Sequence, residues 1–257
     1  MYGAIIGDLA GSIYEYNQIK RIQSIKMNKI IEDNSFYSDD TILTIAVLEA
    51  ILDNQDYDYY LRKYIKKYKD YKPKFTPYFK TSFSPSLIEW SKSSTKGTSH
   101  GNGAMMRISP VGYMFDSTED VIENARRATI PSHNSKEAID SATTIALIIF
   151  YLRKKKNLDA IFTELNINAN YQPFSKFNTT CKDTINNCLY ALSISNSFED
   201  AIKNTLLMGG DTDTNCAIVG SMAQAQYGIN DSLISEVNKR IPKEFVKVLK
   251  RKLNENN

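Results

Sequence analysis

Apolar residues recur at three- and four-residue intervals along almost the whole chain, and period-two alternation is nearly absent. The helical spacing runs over Ile42 to Leu52, Tyr57 to Tyr68, Val121 to Ala128, Ala138 to Leu152, Cys181 to Leu192, Ala201 to Met208, Cys216 to Tyr227 and Phe245 to Leu253. Each such segment carries an apolar stripe that must be buried against another helix, which restricts the chain to an all-α packing of many helices. Pro, Gly and Ser cluster between the runs, at Pro73 to Pro85, Ser91 to Gly103, Pro131 to Asn134 and Gly209-Gly210, and mark turns. Asn166 to Asn178 reads as a polar, weakly patterned connector. No internal repeat and no linker interrupts the 257 residues, so one domain over 1–257 is expected, long enough to bury a sizeable core.

Composition excludes several function classes. Lys plus Arg number 32 against 29 acidic residues, with no long run of one sign, which argues against nucleic-acid binding as the main activity. The longest apolar run, Ile145 to Leu152, is far shorter than the roughly 20 residues of a membrane span, and reads as a buried helix. Met1 to Asp8 has no basic n-region and places an acid within the apolar stretch, so no export signal is read and a cytoplasmic location is expected. Cys181, Cys188 and Cys216 lack CxxC spacing and a histidine cluster, as reduced buried thiols would. Six tyrosines between Tyr57 and Tyr71 interleave with basic residues, as in single-strand stacking surfaces. However, Tyr57, Leu61, Tyr64, Ile65 and Tyr68 share one stripe, which predicts a core-facing helix with a basic outer face. Lys239 to Lys252, with Ile241, Phe245 and Leu249 on one side, reads as a docked terminal helix.

Gly3, Gly7 and Gly11 fall four apart near the start, costing about 1 kcal/mol each relative to Ala in a helix. Close approach of another helix across that bare face is the expected compensation. The small residues Ala217, Gly220, Ser221 and Ala225 mark a second closely packed helix. Asp8, Ser12 and Glu15 project from a different face of the first helix, and taken alone form a solvated polar stripe.

Ser38-Asp39-Asp40-Thr41 stands where the helix from Ile42 needs its N-cap, and Gly209-Gly210-Asp211-Thr212-Asp213-Thr214 repeats the arrangement before Cys216 to Tyr227. Helix N-termini favour carboxylates and would keep all four aspartates ionised at neutral pH. Brought together they form a tetra-anion, with repulsion of about 4 kcal/mol per pair at about 4 Å and an effective dielectric near 20, so cations are required. Mg²⁺ or Mn²⁺ suits such an all-oxygen set, with Ser and Thr hydroxyls completing the shell. Paired glycines at 209 and 210 allow the tight turn into the second motif.

Gly101-Asn102-Gly103-Ala104-Met105-Met106-Arg107 reads as a flexible loop entering a helix that ends near Pro110. Its backbone amides can meet a ligand's phosphates. Arg107 is placed as a buttress for nearby carboxylates, and the two methionines as gap fillers. Of the two histidines, His100 reads as structural. His133 reads either as a cap for the helix from Ala138 or as a ligand contact.

In their order along the chain, Gly7-Asp8 with Gly11 and Glu15, Ser38-Asp39-Asp40-Thr41, Gly101-Asn102-Gly103 with Met106-Arg107, His133 and Gly209-Gly210-Asp211-Thr212-Asp213-Thr214 resemble the ADP-ribosylglycohydrolase family. The resemblance spans Gly3 to Gly228. It implies a compact orthogonal bundle with a dinuclear site at helix N-termini, holding two Mg²⁺ or Mn²⁺. By that likeness Ser38, Asp39, Asp40, Asp211, Asp213 and Thr214 are metal ligands, and Glu15 is the preferred acid/base, with Asp39 or Asp40 as alternatives. Gly101, Asn102, Gly103 and His133 then line the ADP-ribose pocket. Ser38 stands where the family commonly has Thr and keeps the hydroxyl. The chain is also shorter than many relatives, which bears on acceptor specificity more than on chemistry.

The implied activity is metal-dependent hydrolysis of an N- or O-glycosidic bond between ADP-ribose and a modified protein or other acceptor, by a monomer. An ADP-ribose-binding protein without turnover would be expected to lack one of the four aspartates, all of which are present. A two-metal phosphohydrolase cutting the pyrophosphate is the third reading, distinguished by its products.

Overall fold

A computed structural model describes residues 1–15, 25–73 and 81–255, with side chains through residue 251. Its helices are α1 (Tyr2–Gly11), α2 (Asp39–Leu52), α3 (Tyr57–Tyr68), α4 (Pro85–Lys92), α5 (Gly103–Met106), α6 (Ser109–Met114) and α7 (Thr118–Thr129), then α8 (Lys136–Arg153), α9 (Leu158–Glu164), α10 (Cys181–Ser193), α11 (Phe198–Met208), α12 (Thr212–Tyr227), α13 (Asp231–Arg240) and α14 (Lys243–Glu255). Among the described residues the extended pairing is confined to two isolated bridges, Thr98 with His133 and Gly101 with Thr180.

Local sequence fixes most helix starts. Ser38, Ser117, Ser135, Thr180 and Ser197 each accept a hydrogen bond from a backbone N–H two or three residues on, as N-caps do. Pro85 and Pro110 sit in the first turn of their helices, where the missing N–H costs nothing. Pro110 therefore opens α6 instead of closing the helix from Gly103, because a break at Arg107–Ile108 separates α5 from α6. The short α4, α9 and α13 lie outside the periodic runs; with eight, seven and ten residues they offer too few turns for a stripe to stand out.

The centre of the molecule is α1, α2, α8 and α12. Every residue of α1 is buried, as is α12 from Thr212 to Ala223, and helices buried all round show little amphipathic bias. The expected close approach occurs between these two, which run antiparallel. A Cβ on Gly3 would come within 2.7 Å of the Gln224 Cβ, one on Gly7 within 2.6 Å of the Ala217 amide nitrogen, and one on Gly11 within 2.5 Å of Asp213 backbone atoms. The Gly3 N–H donates to Gln224 Oε1 at 2.7 Å, and Thr212 Oγ1 donates to the Gly11 carbonyl at 2.9 Å, pinning both ends of the pair.

The tyrosine stripe of α3 is buried at Tyr57, Tyr60 and Tyr64, and α14 docks beside it through Phe245, which packs on Tyr64 and Tyr68. All three cysteines are free and buried. No helix among the described residues is long and apolar enough to cross a membrane.

Candidate active site

The N-termini of α2 and α12 and the last turn of α1 meet at one point. Asp8 Oδ2 accepts from the Ser38 N–H (2.9 Å), the Thr41 N–H (3.1 Å) and the Thr41 hydroxyl (2.5 Å), so α1 is tied to the first turn of α2. Ser38 Oγ caps α2 by accepting from the Asp40 N–H, and donates to Asp40 Oδ2 at 3.1 Å. The same Asp40 oxygen accepts from Thr214 Oγ1 at 3.4 Å, which brings the two aspartate motifs together. Carboxylate oxygens of Asp8, Asp40 and Asp213 all lie within 4.8 Å of one another, and so do those of Glu15, Asp211 and Asp213. Asp213 belongs to both groups. Asp39 belongs to neither; its Oδ1 accepts from Ser82 Oγ at 3.3 Å on the rim.

Burial overrides the helix N-termini in setting the charges. Asp40 and Asp213 are pushed well above the ordinary carboxylate pKa, first by burial and then by acidic neighbours, Asp213 foremost on Asp40 and Asp211 foremost on Asp213. Asp39 and Asp211 are pushed up to about 7, again by burial first and then by repulsion, from Asp8 on Asp39 and from Glu15 on Asp211. Asp8 is also raised by burial, against the pull of its hydrogen bonds. The expectation of four ionised aspartates at neutral pH therefore fails for the cluster by itself, since desolvation and mutual repulsion exceed the modest attraction of a helix terminus.

The chemistry of the donor set fits a hard cation. Asp8 Oδ1 and Asp40 Oδ1 are buried with no hydrogen-bond partner among the described residues, which is costly for acceptor oxygens unless something positive fills the gap. The donors are carboxylates and hydroxyls, a set suited to oxygen-seeking divalent ions. The neighbouring thiol of Cys216 contacts the Ile202 carbonyl instead.

Above this floor stands the Gly101-Asn102-Gly103 loop. Asn102 Nδ2 donates to Asp211 Oδ2 at 2.7 Å, so Asp211, at the N-cap position of α12, turns its carboxylate to the loop and makes no side-chain cap. The loop is held from behind by the 178–181 segment: the Asn102 N–H donates to the Thr179 carbonyl, and the Cys181 N–H to the His100 carbonyl. Asn178 fixes the turn into α12. Its Oδ1 accepts from the Asp211 N–H (2.8 Å) while its Nδ2 donates to Thr184 Oγ1 (2.8 Å) and Asn215 Oδ1 (2.9 Å). Gly210 passes against it at φ +77°, in a space no side chain could enter.

Glu15, both aspartate motifs and the glycine loop line a cleft of about 940 Å³, within the range of small-ligand sites, whose walls also include Phe83, Trp90, Phe177, Arg107 and His133. Residues 1–255 match the family model described as ADP-ribosylglycohydrolase. The chain belongs to the ADP-ribosylglycohydrolase family. Among relatives of this family, the chain is 24% identical over 160 residues to the ADP-ribosyl-[dinitrogen reductase] glycohydrolase of Rhodospirillum rubrum, covering 56% of this chain and 53% of that protein. It is 24% identical over 174 residues to the ADP-ribosylhydrolase ARH3 of Homo sapiens, covering 57% and 47%. The matches thus span about half the length of these curated relatives. A solved structure titled ADP-ribosylglycohydrolase-related protein complex shares the fold, with a TM-score of 0.70 at 18% identity over 96% of this chain and 89% of that one.

Of the residues expected from the sequence to serve the site of this ADP-ribosylglycohydrolase family member, Glu15, Ser38, Asp39, Asp40, Gly101, Asn102, Gly103, His133, Asp211, Asp213 and Thr214 all line the one cleft. Asp8 does not belong to a solvated stripe; it is fully buried among the carboxylates. Periodicity locates a face of α1 but not what the face meets. The Arg107 guanidinium favours the ionised form of Asp39, so the expected buttress is electrostatic. Among the described residues Arg107 forms no ion pair, and its Nη2 donates to Ser132 Oγ at 2.6 Å. His133 is not the cap of α8, because Ser135 fills that position. His100 is exposed, with its Nδ1 3.9 Å from Glu137. Asn178, Ser132 and the aromatic wall carry no signal in the sequence, since none lies in a motif or periodic run.

Proposed function

We propose that the chain is a divalent-cation-dependent hydrolase that removes ADP-ribose from an N- or O-glycosidic linkage on a modified protein, of the arginine or serine type, or on another acceptor. In this reading it works as one domain and as a monomer. The observation that carries the reading is the sharing of Asp213 between two three-carboxylate groups at the floor of one cleft. A ligand with several oxygens, such as a ribose with its diphosphate, is what such a floor and a glycine-lined wall can hold together.

Two Mg²⁺ or Mn²⁺ ions would be held by Asp8, Asp40 and Asp213 on one side and by Asp211 and Asp213 on the other, with Glu15, Ser38, Thr214 and Asp39 adjacent. When bound, such cations balance the carboxylates, polarise ribose hydroxyls and acidify a water. Glu15, half-buried at the mouth of the floor, takes the proton from the attacking water and returns it to the leaving acceptor atom. Asn102 holds Asp211 in place through Nδ2, so loop position and carboxylate position are coupled. Phe177, half-buried on the wall, offers a flat apolar surface on which a base stacks, with Phe83 and Trp90 buried in the wall beside the cleft. Fixed donors and a preset geometry supply much of the rate, since magnesium acidifies water only weakly.

The testing experiment follows release of free ADP-ribose from arginine-, serine- and nucleic-acid-linked substrates with Mg²⁺, with Mn²⁺ and with EDTA. Metal-dependent release from one linkage is the expected result. Release of AMP and ribose phosphate would establish a phosphohydrolase instead, and binding without release a carrier of ADP-ribose.

A further inference from the structure

Arg107 is 1% exposed, forms no ion pair among the described residues, and leaves Nε and Nη1 without a hydrogen bond. A buried guanidinium is expensive unless its donors are used. Nη2 is the nitrogen that is used: it donates to the Ala128 carbonyl at 3.4 Å and, more closely, to Ser132. Arg107 Nη2 lies 2.6 Å from Ser132 Oγ, Ser132 Oγ lies 2.7 Å from His133 Nδ1, and Nη2 itself approaches Nδ1 at 3.5 Å. Arginine has only donors, so Ser132 Oγ accepts from it. The hydroxyl proton then goes to the acceptor beside it, His133 Nδ1. A proton on Nδ1 would face the guanidinium N–H and strand the serine hydroxyl.

We propose that the Arg107–Ser132 chain locks His133 as a neutral imidazole with its proton on Nε2, making His133 a fixed hydrogen-bond donor to an acceptor oxygen of the ligand in the cleft. Among the described residues Nε2 makes no hydrogen bond. It lies against the glycine loop, 3.4 Å from where a Cβ on Gly101 would stand and 3.5 Å from one on Gly103, so bare glycines leave that edge open. The charged and titratable groups acting on His133 are Arg107 and, farther out, His100, with no carboxylate among them. With burial as the largest influence they hold its pKa well below the ordinary 6.5. The donor is thus independent of pH across the physiological range. Arg107 and Ser132 are positioning residues in this scheme, and the ligand half rests on the reading of the cleft as an ADP-ribose site.

With two histidines in the chain, His100→Asn leaves a single imidazole to observe. In long-range ¹H–¹⁵N spectra of that protein, His133 is expected to show a protonated Nε2 and a bare Nδ1, unchanged from pH 5.5 to 8.5. A proton on Nδ1, or titration near an ordinary histidine pKa, overturns the chain whatever the activity. Ser132→Ala is expected to mix the tautomers, raise the Kd for ADP-ribose about tenfold and affect KM more than kcat, while Ser132→Thr, which keeps the hydroxyl, restores the tautomer. ADP-ribose that binds in calorimetry without moving the Nε2 resonance overturns the donor role. Failure of ADP-ribose to bind at all overturns the reading of the cleft and the donor role with it, while the tautomer spectrum, recorded without ligand, decides the Arg107–Ser132–His133 chain separately.

Discussion

Gly7 and Cys216 meet backbone to backbone, and a Cβ on Gly7 would overlap the Cys216 carbonyl. Both neighbours are central helices that cannot yield separately, because α1 delivers Asp8 and α12 delivers Asp213 to the same carboxylate group. Gly7→Ala is therefore expected to cost about 3 kcal/mol or more, the upper end of overpacking effects. It should also weaken divalent-cation binding in whatever protein still folds. Denaturant unfolding beside Gly228→Ala is the check. Position 228 has nothing within 4 Å and only its φ of +76° to resist a side chain, so it should cost about 1–2 kcal/mol.

Proton and cation compete for the aspartates. A carboxyl raised above its unfolded pKa favours the fold at low pH, and that contribution is lost as pH rises through the folded value. For Asp39 and Asp211 the window runs from 3.8 to about 7, and Asp40 and Asp213 carry it higher. In EDTA, melting temperature measured relative to Asp213→Asn should thus fall from pH 5.5 to pH 8. Adding Mn²⁺ or Mg²⁺ should restore it at pH 8 and do little at pH 5.5. A cation-induced shift of about 5 °C corresponds to about 2 kcal/mol at this chain length.

Glu15 carries an oxygen within 4.8 Å of Asp211 and Asp213 and stands half-buried on the cleft. Glu15→Gln keeps the shape and removes the base, so turnover is expected to fall about 10²- to 10⁴-fold while ADP-ribose still binds. Turnover assays paired with calorimetry decide it, and full turnover in the variant would pass the role to Asp39 or Asp40.

Asn178 touches no ligand position but holds the Asp211 N–H, Thr184 and Asn215 at once. Asn178→Ala should cost about 2–3 kcal/mol in stability by leaving buried groups unpaired. Mn²⁺ affinity should also drop about 10-fold or more, because the turn that aims Asp211 loosens. Calorimetric titration of Mn²⁺ measures the second effect separately from unfolding.

Much of this is legible in the chain's own residues. The cap at Ser38 and the aspartates after it can be read because capping is local chemistry, and so can the need of α1 and of α12 each for a close neighbour, from three bare glycines and a run of small residues, whereas that they are each other's neighbour is shown by the fold. What stays hidden depends on tertiary context. Asp8, Ser12 and Glu15 have the spacing of one helical face, but α1 ends at Gly11 and Glu15 stands in the turn beyond it, and the spacing does not tell whether such a face meets water or other carboxylates. Asn178 lies in an irregular connector whose burial is decided by α10 and α12. The ionisation of Asp40 departs from expectation because the helix terminus is visible in sequence, whereas desolvation is a property of the assembled centre.

The mating of α1 with α12 also dictates when the site can come into being during synthesis. Thr212 reaches a Gly11 carbonyl 201 positions earlier in the chain. A ribosome that has released α1 must therefore deliver the 201 positions from Gly11 to Thr212 before Asp8 and Asp213 can meet. Until then the glycine flank of α1, which α12 covers in the finished fold, stays open even where Asp8 already ties α1 to the first turn of α2. The carboxylate floor is consequently assembled late in the building of this fold, when α1 closes against α12.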